Sequence, residues 1–270
     1  MLYGSVDGQK FESSDPTIKA RYSRKYFGRG KGVVAYTLLA NHVALQTEWI
    51  GAHEHESYYV FDICYHNTSE IAPTTITGNM HSVNRANFAI LHWFGLNLAP
   101  RFTNLQAQRK HLYCGRDVAE YRDCVIRPAG RIDHQLIAAE KANLDRVVAT
   151  LGLKEMSQSI LVRKLCTLSP ASPHPQGDLR VRQTGRSIYT LRYLRDPQLQ
   201  CNVHRSQNRI ESYHPLRAFL AQVSGKQHLT GRTDLDVAIS NECGRLIANV
   251  VVAYNSLLAL HAPRSVPGRR

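Results

Sequence analysis

Three short strings hold the side chains best placed to do chemistry. Asp7 stands beside Gly8 at the close of a short apolar stretch, Met1–Val6; Asn79 follows Thr77-Gly78; Glu211 lies within Asn208-Arg-Ile-Glu-Ser-Tyr-His214. Strand ends beside glycine leave the backbone open, and sheet enzymes hold ligands there. An acid at a strand end also serves as plain polar termination, so both readings stay open on the residues alone. A fourth feature is cationic. Lys19, Arg21, Arg24, Lys25, Arg29 and Lys31 are interleaved with Tyr22, Tyr26 and Phe27, and no acid occurs from Pro16 to Gly32. Such a loop neutralises phosphates and releases counterions, and its aromatics can stack on unpaired bases. A merely solvated loop is the plain alternative.

Other chemistries find no footing. The six cysteines form no CxxC pair and the thirteen histidines no HExxH-like spacing, so neither a disulfide framework nor a zinc site is expected. No run of about 18 apolar residues is present and the N-terminus lacks a signal-peptide pattern, so a cytoplasmic, non-membrane protein is expected. With 270 residues and 43% hydrophobic content, the chain can bury a core as one large domain or one domain with an insertion. Its 34 Lys and Arg against 21 Asp and Glu give a formal net charge of +13, which suits a polyanionic partner, nucleic acid before membrane.

These residues need elements to position them. Met1–Val6 predicts a strand that ends at Asp7, and Val33–Leu39 and Val43–Ile50 predict a hairpin across Ala40-Asn41-His42. Glu54–His66 has helical spacing, Thr74–Thr77 reads as a strand, Val83–Phe94 as a helix stopped by Gly95, and Leu96–Ala99 as a fifth strand. After residue 103 the periodicity turns helical, notably through Ile132–Leu151, Ile188–Leu194 and Leu235–Tyr254, with a breaker run at Ser169–Gly177. The order implies a mixed sheet covered by helices.

Longer strings point further. YGSVDGQKF, KARYSRKYFGRGKGVVAYTLL, TTITGNMHSVNRANFAILHWFGLNLAPR and SQNRIESYH together resemble the catalytic region of the Tn3 family of transposases, over most of residues 2–170 and 187–256. The resemblance implies an RNase H-like α/β fold: a mixed five-stranded sheet with flanking helices over 1–103 and 200–222. A helical insertion over 104–199 interrupts it, and a C-terminal helical segment with a divergent tail follows over 223–270. It also implies a DDE triad, carried here by Asp7, residue 79 and Glu211, at separations of 72 and 132 residues. In such a site two Mg²⁺ (or Mn²⁺) ions, about 3.5–4 Å apart, activate the attacking oxygen and stabilise the leaving one. Asp7 would bridge both ions, residue 79 would bind one and Glu211 the other, since hard cations take oxygen ligands. The implied partners are DNA, as transposon ends and target, and a second copy in a transposase dimer.

The chain departs from that pattern. Asn79 stands where the family has Asp, a neutral and weaker ligand. Pro215 lacks the N–H that would bond the Glu211 carbonyl, which predicts a kink there or a helix that ends near Tyr213. His174–Gly185 and Leu257–Arg270 fit the family poorly, as compensating frameshifts or, alternatively, loop divergence would leave them. Family members carry end-recognition domains upstream of the first catalytic strand. The implied function is therefore metal-dependent strand cleavage and transfer, impaired in this copy; the rival is a catalytically inactive DNA-binding remnant.

Overall fold

The β-branched and aromatic runs form the strands they predict. The computed structural model describes residues 2–13, 15, 17–79, 84–167, 175–223, 228–229 and 231–261. Its first part comprises β1 (Tyr3–Ser13), β2 (Arg21–Tyr22), α1 (Arg24–Phe27), β3 (Lys31–Ala40), β4 (Val43–Gly51), α2 (Val60–Tyr65), β5 (Thr75–Gly78), α3 (Arg85–Trp93) and β6 (Asn97–Leu98). Then follow α4 (Leu105–Arg109), β7 (Tyr113–Cys114), β8 (Gly130–Arg131), α5 (His134–Ala139), α6 (Lys141–Gly152), α7 (Gln158–Thr167), α8 (Pro175–Arg195), α9 (Pro197–Val223), β9 (His228–Leu229) and α10 (Asp234–His261).

The main sheet runs β4-β3-β1-β5-β6, antiparallel across β4/β3/β1 and parallel across β1/β5/β6. These are the five expected strands in a mixed α/β fold. Two-residue β2 and β9 add short pairings to β3 and β1. The β3–β4 hairpin turns on Asn41 and His42, both at positive φ (48° and 72°), the twist that two-residue hairpins favour. Helix α3 starts on the Asn84 cap, whose side chain accepts from Ala86 N at 3.0 Å, and stops before Gly95, at φ 75°.

Helices cover both faces of the sheet. β3 is buried from Gly32 to Ala40, as a strand between two layers must be. Val34, Tyr36 and Leu38 pack with Phe61, Ile63, Leu91 and Tyr189 from α2, α3 and α8. Val33 and Ala35 pack with Phe11 and Val237, and Leu39 with Ile210, Tyr213 and Ala248 of α9 and α10.

Several expectations are corrected. β1 continues through Asp7 to Ser13 because Asp7 to Glu12 keep pairing with β3, so Asp7 is mid-strand. The single helix expected over Glu54–His66 is a 3-10 turn, Glu56–Tyr58, followed by α2. His55 causes the split: its Nδ1 accepts from Ser57 N at 3.3 Å and fixes the turn. α9 does not end near Tyr213 but runs through Pro215, which is exposed. Of the breaker run, 169–174 lie outside the described residues, and Pro175–Gly177 open α8, where proline is tolerated. The poorly matching block from Pro175 to Gly185 is therefore helix rather than loop; His174, Val83 and 262–270 lie outside the described residues.

α10 has the expected period but the opposite phase. Leu235, Ile239, Leu246, Val250 and Tyr254 are exposed, while Asn241 and Ala248 are buried. The reason lies in β4, which has β3 on one side only among the described strands. Asn249 Oδ1 accepts from Ala44 N at 2.9 Å, Asn249 Nδ2 donates to Ala44 O at 2.9 Å, and Arg245 Nη1 donates to the same carbonyl at 3.0 Å. Buried strand groups must be satisfied, so the polar side of α10 turns inward. This helix is also long and apolar enough to cross a membrane by length and composition alone, although its apolar residues form no uninterrupted run.

Candidate active site

The β1/β5 register brings the first two candidate residues together. The parallel pairing ends at Val6 opposite Gly78, so Asp7 and Asn79 are the next residues on adjacent strands. Asn79 Nδ2 donates to Asp7 Oδ1 at 2.7 Å, and Gly8 N donates to the same oxygen at 3.0 Å. Asp7 is 9% exposed and its carboxyl pKa is pushed up to about 6, by burial first; the Gly8 N–H and Lys10 oppose this and the Glu211 charge adds to it. An aspartate at 79 would face Asp7 as a second anion. The amide instead donates a hydrogen bond to Asp7 Oδ1.

Glu211 arrives level with Asp7 through α9. Ser5 Oγ donates to Ser206 O at 2.6 Å and Gln9 Nε2 donates to His214 O at 2.9 Å. Four strand residues rise about 13 Å and eight helical residues about 12 Å, so β1 and α9 run in step between these two ties. Asp7, midway along one, is level with Ile210, beside Glu211. Yet Glu211 is exposed, and its Oε1 lies 3.7 Å from Arg101 Nη1. Arg101 N in turn donates to Gly78 O at 3.0 Å, at the end of β5. The structure thus joins Asp7 to Asn79 and sets Glu211 beside them, outside the pocket.

That pocket, about 320 Å³, is lined by Asp7, Lys10, Tyr26, Glu56, Asn79 and His214 among others. Glu56 is buried, its pKa is pushed up to about 7 by burial and then by the Asp7 charge, and Lys10 Nζ lies 3.8 Å from its Oε1. His214 is held neutral, its pKa pushed down to about 4 by burial and then by Lys10. Sequence reasoning missed all three of Lys10, Glu56 and His214. Lys10 and His214 lay inside quoted strings, and Glu56 was absorbed into an amphipathic helix; only the Glu54-His55-Glu56 cluster signalled it. Among the described residues, no three His, Cys, Asp or Glu side chains gather closely enough to hold a metal ion.

The six cations of the basic loop are all exposed. Lys19 Nζ lies 4.4 Å from the Trp49 ring centroid and Lys25 Nζ lies 4.9 Å from that of Tyr26. Tyr26, itself 45% exposed, also takes Lys10 over its ring at 4.3 Å and lines the pocket. The loop therefore reaches the pocket through one aromatic ring.

The family model for the Tn3 transposase DDE domain matches residues 2–264. The chain is 27% identical to the transposase for transposon Tn4556 of Streptomyces fradiae over 195 residues, 72% of this chain and 21% of that protein. It is 23% identical to the transposase for transposon gamma-delta of Escherichia coli (strain K12) over 264 residues, 94% of this chain and 25% of that protein. With the transposase for transposon Tn501 of Pseudomonas aeruginosa it shares 24% over 220 residues, 78% of this chain and 21% of the relative. The chain spans a fifth to a quarter of the length of these relatives. No solved structure matches it.

Proposed function

Because the chain belongs to the Tn3 transposase DDE domain family, we propose that it is the strand-cutting and strand-joining core of a DNA transposase, and that this copy cuts poorly. The observation that carries the impairment is the 2.7 Å bond from Asn79 to Asp7. It puts a neutral donor where the reaction asks for an anionic ligand.

The residues fit a divalent ion at Asp7: two buried acids, Asp7 and Glu56, face one pocket, and among the described residues Glu56 Oε2 is buried with no hydrogen-bond partner. The fit is to one ion rather than two, since Glu211 is drawn to Arg101. In the two-ion arrangement that the family implies, Asp7 would serve both ions, residue 79 one and Glu211 the other; here a second ion would lack the Glu211 carboxylate while Arg101 holds it. Bound Mg²⁺ or Mn²⁺ supplies Lewis-acid stabilisation of the developing oxyanion charge and a more acidic attacking water. The protein's own part is positional: the β1/β5 register fixes Asp7, α9 carries Glu211, and the basic loop with Tyr26 leads DNA to the pocket.

We read 104–199 as the helical insertion, built onto the 1–103 and 200–222 core; the packing of Leu151, Val162, Tyr189 and Tyr193 into the main cluster supports this. Assembly as a dimer on transposon ends and target DNA, in the cytoplasm, belongs to the same reading. The +13 net charge supports DNA as the partner.

Metal-dependent nicking of supercoiled plasmid tests the proposal. The protein as it stands should nick weakly with Mg²⁺ or Mn²⁺, Asn79→Asp more strongly, and Asp7→Ala not at all. Strong nicking by the unaltered chain, lost in Asp7→Ala, would overturn the impairment. Equal behaviour of all three would overturn the site. DNA binding without nicking even in Asn79→Asp would favour the inactive DNA-binding remnant. In gel shifts, Arg24→Ala with Lys25→Ala should reduce the slope of log affinity against log salt by about 1.8, two phosphate contacts' worth.

A further inference from the structure

The acid beside Asp7 that the triad does not include is built in at a cost. Among the described residues Glu56 Oε2 is buried with no hydrogen-bond partner, and Lys10 Nζ is 3.8 Å from Oε1, beyond hydrogen-bond reach. Lys10 also lies over the Tyr26 ring, and its single charge cannot balance two carboxylates. A buried, undercompensated carboxylate is expensive, and an unused one would gain by becoming Gln.

The surroundings nonetheless hold Glu56 in place. A Cβ on Gly8 would come within 2.4 Å of Glu56 Oε1 and 2.6 Å of Val34 Cγ1. The backbone beside Asp7 is thus bare where the Glu56 carboxylate lies. The 3-10 turn that carries Glu56 is clamped from both sides. Asn87 Nδ2 donates to Ser57 O at 2.8 Å, and Gln158 Nε2 donates to Asn87 Oδ1. Gln158 Oε1 accepts from Phe61 N at 2.6 Å, and Asp62 Oδ1 accepts from Gln158 N at 2.6 Å. Asn87 and Gln158 are fully buried, so this network fixes the turn rigidly. Both bonds described at the Asp7 carboxylate fall on Oδ1, which leaves Oδ2 for another ligand.

We propose that Glu56 is a divalent-cation ligand, and that Asp7 and Glu56 together hold one ion in this chain although residue 79 brings no carboxylate. Two carboxylates balance one divalent charge, and oxygen donors suit Mg²⁺ or Mn²⁺. The inference rests on the reading of Asp7 as a metal ligand. It adds a ligand that makes metal binding survive Asn79 even where cleavage does not.

Titration of Mn²⁺ by electron paramagnetic resonance, which counts free ion, tests this without any DNA. Melting with and without MnCl₂ provides a second readout, taken as each variant's own shift so that differences in basal stability cancel. The unaltered protein should bind one Mn²⁺. Glu56→Gln and Asp7→Asn should each weaken it at least tenfold, Glu56→Asp should weaken it less, and Glu120→Gln, on the surface, should not. Should Glu56→Gln fail to fold by circular dichroism, Glu56→Asp carries the comparison, and unchanged affinity there overturns the proposal. Normal Mn²⁺ binding by folded Glu56→Gln, with binding lost in Asp7→Asn, overturns the role of Glu56 and leaves the site reading intact. Binding by Asn79→Asp but not by the unaltered chain would likewise sink the proposal, since Glu56 then fails to stand in, while the family reading survives.

Discussion

The two sides of the site are built by different means. On the sheet side, Asp7 and Asn79 are adjacent because the β1/β5 register leaves them no other place. On the helix side, Glu211 is delivered by α9, held by the Ser5 and Gln9 ties, with a proline four residues on. The sheet side is buried and short of cations; the helix side is exposed, and its carboxylate already has one. A backbone ladder fixes which residues stand side by side on neighbouring strands, whereas a helix fixes only level and phase. With an amide at residue 79 the sheet side is assembled, Asn79 bonded to Asp7, while Glu211 is paired with Arg101.

The largest expected effect separates the two sides by pH, in protein free of divalent ions. Between pH 4.5 and 7 the folded chain keeps a proton on Glu56 that the unfolded chain has released, so this group makes stability fall as pH rises through that window. Asp7, raised by burial, acts in the same direction. His214 acts in the opposite one. Between pH 4 and 6.5 the unfolded chain holds a proton on it that the fold excludes, so its contribution rises with pH. Glu56→Gln should thus gain on the unaltered protein by about 3 kcal/mol from pH 4.5 to pH 7.5, measured by urea unfolding. His214→Gln should shift the balance the other way, with a steeper fall. A Glu56→Gln profile parallel to that of the unaltered chain would remove the acid pair as the source.

Much of this architecture was legible in advance, and the failures have physical causes. Strand and helix runs in the first hundred residues were readable because β3 and α3 carry unbroken local signals. Asp7 appeared to end a strand because Asp7-Gly8-Gln9 is locally polar; cross-strand pairing with Thr37 and Tyr36 overrode that. α10 showed its period plainly, but its phase depended on the edge of β4, two hundred residues away. The family strings implied Asp7, residue 79 and Glu211. Glu56 escaped because a long-range fact, bare backbone at Gly8, gives it its place.

The next effect concerns the helix side alone. Proline in a helix interior costs about 3 kcal/mol relative to alanine, offset in part by the freedom it removes from the unfolded chain. Pro215 is exposed, so Pro215→Ala should restore an N–H to the Glu211 carbonyl with no packing lost. A gain of about 2 kcal/mol is expected by urea unfolding. No gain, or a loss, would mean that α9 has adapted its course to the proline, and that Glu211 sits where it does because of it.

The smallest expected effect is the most informative about Glu211. Arg101 and Glu211 are 3.7 Å apart, with side chains 34% and 53% exposed, so solvent screens the pair and Arg101→Ala should cost no more than about 0.5 kcal/mol of stability. Its interest lies in competition. Arg101 is anchored by its backbone to the end of β5, and its guanidinium occupies the carboxylate that a second ion would need. In an Asn79→Asp background, removing it should therefore tighten a second Mn²⁺ about twofold, the same 0.5 kcal/mol expressed as affinity. The gain should shrink in about 0.5 M salt, where an exposed pair is already screened. A second Mn²⁺ bound more weakly after Arg101→Ala would reverse the assignment: Arg101 would then hold Glu211 toward the sheet rather than away from the metal, and the helix side would be as deliberately positioned as the sheet side.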